Sequence, residues 1–285
     1  MAALWAGRLL AQTAVSVTDT TGWNAWQKAD LSPFTEITTD QQTGQGADDF
    51  AADATYSGFY QKAGTIGGVD HLLMRARFDK FDGADQWGNG GNFGIGMDVN
   101  GDGALDLIMM VTESSGNANN RTRTIRWGDP GTGANTGPST TTWTFPTQTA
   151  INLTLNTTYD VTQAYDGSML NGTADMFMSF AVSFANLQAA VRAYTPFTTF
   201  TMGYQTRMSY IAFTSTQDNS LNQDLFGTTG NTSSSLTWSQ LGAITGPANA
   251  FGIVPEPSTY AQVGAFLFAG GYMTWRRRKR AAQRT

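Results

Sequence analysis

Phe93-Gly94-Ile95-Gly96-Met97 and Leu107-Ile108-Met109-Met110-Val111 are apolar runs separated by Asp98-Val99-Asn100-Gly101-Asp102-Gly103-Ala104-Leu105-Asp106. The runs read as strands and the polar stretch between them, with its Asn-Gly and Asp-Gly pairs, as the loop of a hairpin. Working outward, apolar residues alternate more often than they recur at helical spacing. Further strands are predicted at Val69 to Phe78, Phe93 to Asp98, Leu105 to Val111, Thr122 to Trp127, Thr141 to Phe145, Ile151 to Leu155, Tyr159 to Tyr165, Met176 to Phe184, Phe197 to Tyr204 and Met208 to Phe213. Turn signals such as Asp82-Gly83, Asp129-Pro130-Gly131 and Asp166-Gly167 separate many of them. One short helix is expected from Ala185 to Tyr194, where Leu187, Ala190, Val191 and Tyr194 share a face and Pro196 stops it. The fold class is therefore mainly β, an antiparallel β-sandwich or jelly roll with one short helix.

The hairpin loop also carries chemistry. Asp98, Asn100, Asp102 and Asp106 place side-chain oxygens at positions 1, 3, 5 and 9, Gly103 at position 6 permits a sharp bend, and Ala104 at position 7 offers its carbonyl. Calcium takes six to eight oxygen ligands, so this is a partial cage. The string resembles an EF-hand-like calcium loop, but position 12 is Met109 in place of a bidentate glutamate. A helix-loop-helix sensor is therefore not expected. It also resembles one FG-GAP repeat, a family whose propellers need several copies where this chain has one. The alternative is a calcium-free turn, although four oxygen side chains in nine residues exceed what a turn requires.

At the other end of the chain, Val254-Pro255-Glu256-Pro257-Ser258 is followed by an uncharged stretch from Tyr260 to Trp275 and by Arg276-Arg277-Arg278-Lys279-Arg280. As a helix this sixteen-residue uncharged stretch would span about 24 Å of a roughly 30 Å hydrocarbon core, a marginal anchor. The basic cluster would hold its end in the cytoplasm and place the preceding body outside. Motif, spacing and basic end resemble the PEP-CTERM tail of exported proteins in Gram-negative bacteria. That resemblance implies an exosortase-type membrane protease as partner, cleavage near Pro-Glu-Pro, and delivery to the cell surface or exopolysaccharide matrix. An ordinary membrane anchor is the alternative.

Residues 1–14 look like the apolar and cleavage regions of a truncated or atypical signal peptide, interrupted by Arg8, with cleavage expected near Ala11 or Ala14. The expected organisation is thus a leader at 1–14, a β body at 15–252 and a sorting tail at 253–285. The whole chain has 17 basic and 22 acidic residues. Removing Arg8 and the six basic residues after 255 leaves 10 basic, and removing Glu256 leaves 21 acidic, so the body carries −11. An acidic body argues against nucleic acid and anionic lipid, and for cations or neutral glycans. With no cysteine there is neither a disulfide framework nor a thiolate metal site.

His71 is the single histidine, which excludes a multi-histidine zinc site. Carboxylates cluster at Asp48, Asp49 and Asp53 and at Asp79, Asp82 and Asp85, and read as solvated loops or cation ligands before they read as a glycosidase pair. Trp87, among Asp85, Gly88, Asn89 and Asn92, is the candidate for an exposed aromatic that stacks on a sugar ring. The polar segment Thr214 to Asp224 reads as a structural loop. The functional expectation is an exported surface or matrix protein without catalysis, with one structural calcium and a removable tail. A carbohydrate-binding module for exopolysaccharide is the first alternative, and a secreted polysaccharide hydrolase or lyase the second.

Overall fold

The computed structural model describes residues 13–27, 32–36, 49–81, 92–113, 122–131, 135–146, 150–228, 236–241, 248–249 and 252–253. The chain divides into two units at Ile253, and every described residue belongs to the first. In chain order the elements are β1 (Asn24–Ala25), β2 (Phe59–Ile66), β3 (Val69–Phe78), β4 (Asn92–Asp98), β5 (Leu107–Glu113), β6 (Arg123–Gly128), β7 (Ile151–Leu153), β8 (Tyr159–Gln163), β9 (Met176–Ser183), α1 (Phe184–Tyr194), β10 (Ser209–Ser215), β11 (Leu225–Phe226), the single turn α2 (Trp238–Leu241), β12 (Ala248–Asn249) and β13 (Gly252–Ile253).

Two antiparallel sheets, ordered β1-β2-β3-β9-β8 and β11-β10-β4-β5-β6-β7, face each other, and β12 and β13 form a separate pair. Strand periodicity makes the inner faces apolar. Leu72, Met74, Ala76 and Phe78 of β3 and Met176, Met178, Phe180 and Val182 of β9 meet Phe93, Ile95, Met97, Leu107, Met109 and Val111 of β4 and β5 in one core. Phe93 ties the layers together, with ring centroids 6.0 Å from Phe59, 6.1 Å from Phe78 and 5.6 Å from Phe180.

The outer faces are buried too, which explains why these strands read as continuous apolar runs instead of strict alternations. Leu105, Ile108, Met110, Ile211 and Phe213 are covered by Trp143, Leu221, Trp238 and Leu241. Leu73 and Ala181 are covered by Val15, Val17 and Trp23. Gly94 makes one of these layers possible, because a Cβ there would lie 2.0 Å from the Phe213 ring.

Helix α1 is capped by Ser183, whose hydroxyl accepts from the Asn186 amide at 3.1 Å, and it buries Phe184, Leu187, Ala190 and Val191. It starts one residue before the predicted boundary. Two strand expectations fail, and one strand was not foreseen. Phe197 to Tyr204 is a series of turns, closed by Phe200 N to Phe197 O at 3.0 Å and pinned by Arg192 Nε to Phe200 O at 2.6 Å. Thr141 to Phe145 makes only isolated bridges, at Thr142 to Ser220 and Thr144 to Asp129. Strand β2, absent from the sequence reading, runs the length of β3 because its polar residues find distant partners: Gln61 accepts from Trp26 Nε1 at 2.9 Å, and Lys62 pairs with Asp19 at 2.5 Å.

Thr13 and Val15 exchange hydrogen bonds with Thr65 at 3.0 Å, in the space left by Gly64. Residues 1–12 of the expected leader lie outside the described residues.

Candidate functional sites

The loop expected to hold a cation joins β4 to β5, the hairpin foreseen, with Met97 opposite Leu107. Gly101 and Gly103 take φ of 80° and 84°, conformations open to glycine, so the chain folds back over the Asp98 carboxylate. Asp98 accepts from the Gly101 amide at 2.6 Å and the Gly103 amide at 2.9 Å, and Asp102 accepts from Ala104 N at 2.9 Å. Asn100 accepts from the Asp102 amide at 2.8 Å and donates to its carboxylate at 2.9 Å. Asp106 accepts from Val99 N at 2.7 Å.

Asp98, Asn100, Asp102, Ala104 and Asp106 are therefore gathered around one turn. Burial raises the Asp98 carboxyl; amide bonds from Gly103 and Gly101 oppose it, and the Asp102 charge adds to it. Burial likewise lifts Asp106 to about 6; the Val99 amide opposes the shift, and the charges of Asp98 and Asp102 add to it. None of the three carboxylates pairs with a basic side chain among the described residues. Each oxygen that accepts one amide keeps a second lone pair. Among the described residues no group of three or more His, Cys, Asp or Glu is placed to hold a metal by itself. A calcium ion here would draw on the Asn100 amide oxygen and on carbonyls, which its oxygen chemistry allows.

Of the expected acidic clusters, Asp49, Asp53 and Asp79 fall among the described residues. Asp53 accepts from the amides of Thr55 and Tyr56, both at 2.7 Å, and so closes its own turn. Asp49 and Asp79 are buried on adjacent chains, and Asp79 is raised first by burial and further by the charge of Asp175, against the Asn171 hydrogen bond. Asp48, Asp82 and Asp85 lie outside the described residues, as does Trp87. His71 sits at the start of β3 and its Nδ1 contacts the Val69 carbonyl at 2.8 Å. Asp224 accepts from Phe50 N and Leu225 N, both at 2.6 Å, and Asn222 accepts from Ser215 Oγ and Thr216 N at 2.9 Å, so Thr214 to Asp224 is the structural loop foreseen.

Two groups escaped the sequence reading. Arg75 and Arg77 lie on the outer face of β3, 1 % and 0 % exposed. Arg77 uses all its donors: Ser57 O at 3.0 Å, Asp166 at 3.1 and 2.5 Å, Tyr60 Oη at 3.0 Å, and Ser168 Oγ, with Asp175 at 3.5 Å. Arg75 makes no ion pair within 4 Å among the described residues, although the nearby Asp160 charge favours its protonated form; it donates to Ser179 Oγ at 2.7 Å, Val17 O at 2.8 Å and Tyr165 Oη. Its guanidinium stands 4.0 Å from the Trp23 ring centroid and 5.3 Å from that of Tyr165. Burial lowers its proton affinity to about 10, still charged at neutral pH. The signal was available, since two arginines at alternate positions within Leu72 to Phe78 must share one strand face.

The sorting motif Val254 to Ser258 and the basic cluster Arg276 to Arg280 lie outside the described residues, and among the described residues no helix is long and apolar enough to cross a membrane. No protein-family model matches the chain, and neither the curated proteins nor the solved structures contain a significant match to it.

Proposed function

We propose that this chain is an exported protein whose β body is delivered to the cell surface or extracellular matrix by a removable C-terminal tail. The observation that carries the reading is the order of Val254-Pro255-Glu256-Pro257-Ser258, an uncharged stretch of membrane-crossing composition, and Arg276 to Arg280. In this reading Tyr260 to Trp275 forms a transient transmembrane helix, and an exosortase-type protease cuts beside the Pro-Glu-Pro motif. The body works without catalysis, as a component of the surface or of the exopolysaccharide.

Calcium is the cofactor of this proposal. Asp98, Asn100, Asp102 and Asp106, with the Ala104 carbonyl, would hold one ion, and the ion would neutralise three carboxylates that now repel one another. Outside the cell, where calcium is millimolar, a site of weak affinity fills and stiffens the central β4–β5 hairpin.

Replacing Pro255, Glu256 and Pro257 by alanine tests the sorting step. In cells the variant is expected to stay full-length and membrane-bound while the wild type is released in a shorter form, as read by mass spectrometry of both termini. Release of the variant with the wild-type C-terminus would overturn the reading.

A further inference from the structure

The outer face of the β1-β2-β3-β9-β8 sheet holds an open pocket of about 200 Å³, lined by Thr21, Trp23, Tyr60, Arg75, Tyr165 and Asp166 among others. Its mouth presents an aromatic ring where burial would be the default. Tyr165 is 45 % exposed, yet its hydroxyl is anchored by Arg75 and its ring leans on Phe177 at 5.1 Å and 54°. A buried cation thus holds an exposed tyrosine in one orientation. The next residue is equally fixed: Asp166 is gripped through both oxygens by Arg77, which keeps it ionised against the effect of burial. Its side chain nevertheless stays 29 % exposed. Thr20 and Thr21, both exposed, add hydroxyls to the rim.

We propose that this pocket binds one ring of a neutral saccharide, the C–H face of the ring lying on Tyr165 and one hydroxyl donating to Asp166 Oδ2, the oxygen that Ser168 leaves free. The parts match that guest for separate reasons. An aromatic face is electron-rich and attracts the slightly positive C–H bonds of a pyranose. An ionised carboxylate beside it accepts from a hydroxyl and repels an acidic sugar. Because both groups are already immobilised by buried arginines, little side-chain freedom is lost when the guest arrives. The volume lies below the range of about 300–1,000 Å³ common for drug-sized ligands, which restricts the guest to a single ring of a chain. The pocket belongs to the body and does not depend on the sorting tail.

The test is a binding panel on the purified full chain in mild detergent. Neutral glucans, mannans, galactans and xylans are set against alginate and polygalacturonate, by affinity electrophoresis and titration. The wild type is expected to be retarded by at least one neutral polysaccharide, with little change between 50 and 500 mM salt. Tyr165→Ala should weaken that binding at least tenfold. As Tyr165→Ala also takes an acceptor from Arg75, Thr21→Arg provides a second variant, which fills the mouth and places a cation beside Asp166 without touching the buried layer. It should abolish binding with the circular dichroism of the wild type. Retardation by acidic polysaccharides alone, binding unchanged in Thr21→Arg, or no binding to any neutral member would each overturn the proposal.

Discussion

Asp106→Asn is predicted to stabilise the calcium-free protein at neutral pH and to remove its response to calcium. In the folded chain Asp106 holds its proton to about pH 6, against an ordinary value of 3.8. Below pH 3.8 both folded and unfolded forms are protonated and the full stability is present; as pH rises, the unfolded chain ionises first, and stability is lost up to and through pH 6. At full strength the two decades between these values amount to about 3 kcal/mol. Asp106 is half exposed and solvent screens its neighbours, so about 1–2 kcal/mol is the expected loss. The asparagine keeps the acceptor for Val99 N and carries no charge toward Asp98 and Asp102. In chelator at pH 7 it should therefore melt above the wild type by about 2–8 °C, and the difference should vanish near pH 4. Calcium at about 1 mM, against a dissociation constant near 0.1 mM, adds roughly 1.4 kcal/mol to the wild type alone and narrows the gap. Melting curves of both proteins from pH 4 to 8, with chelator and with calcium, decide the matter. Coincident chelator curves at every pH would refute the electrostatic reasoning, and an equal calcium gain in both proteins would remove Asp106 from the site.

Asp102→Ala should likewise lose the calcium increment while its chelator stability stays equal to the wild type or rises slightly, which the same melts would read. Gly94→Ala forces a methyl group to within 2.0 Å of the Phe213 ring, and overpacking of this kind costs about 1–3 kcal/mol, measurable as a lower denaturant midpoint with unchanged slope. Arg77→Met strips the buried Asp175 and the half-buried Asp166 of their cation, an expected loss of about 3–5 kcal/mol; a denaturation midpoint equal to the wild type would show that the cation is dispensable.

How much of this was legible depended on where each residue finds its partners. Strands β3, β4, β5 and β9 announce themselves as apolar-rich runs of seven to ten positions, too short for most helices and bounded in places by turn residues. The hairpin loop was legible in the same way, since its hydrogen bonds join residues at most seven apart. Strand β2 was not, because Gln61 and Lys62 look wrong for a buried strand until Trp26 and Asp19, 35 and 43 residues away, supply their partners. A strand was expected from Phe197 to Tyr204, but Phe197, Phe200 and Tyr204 cover the core from turns held by α1 through Arg192 and Gln188.

The sequence by itself determined the two-sheet β class of the body, the acidic hairpin loop and the order of motif, apolar stretch and basic end in the tail. These are properties of residues close together along the chain. Tertiary structure alone decided that Arg75 and Arg77 are buried, that Tyr165 is held out and that Asp166 is kept ionised. Those outcomes follow from the register of β3 against β9, which sets Arg75 opposite Ser179 and Arg77 opposite Phe177, and from a turn 89 residues beyond Arg77. Side-chain burial and charge compensation are sums over such distant neighbours, and no local pattern of residues contains them.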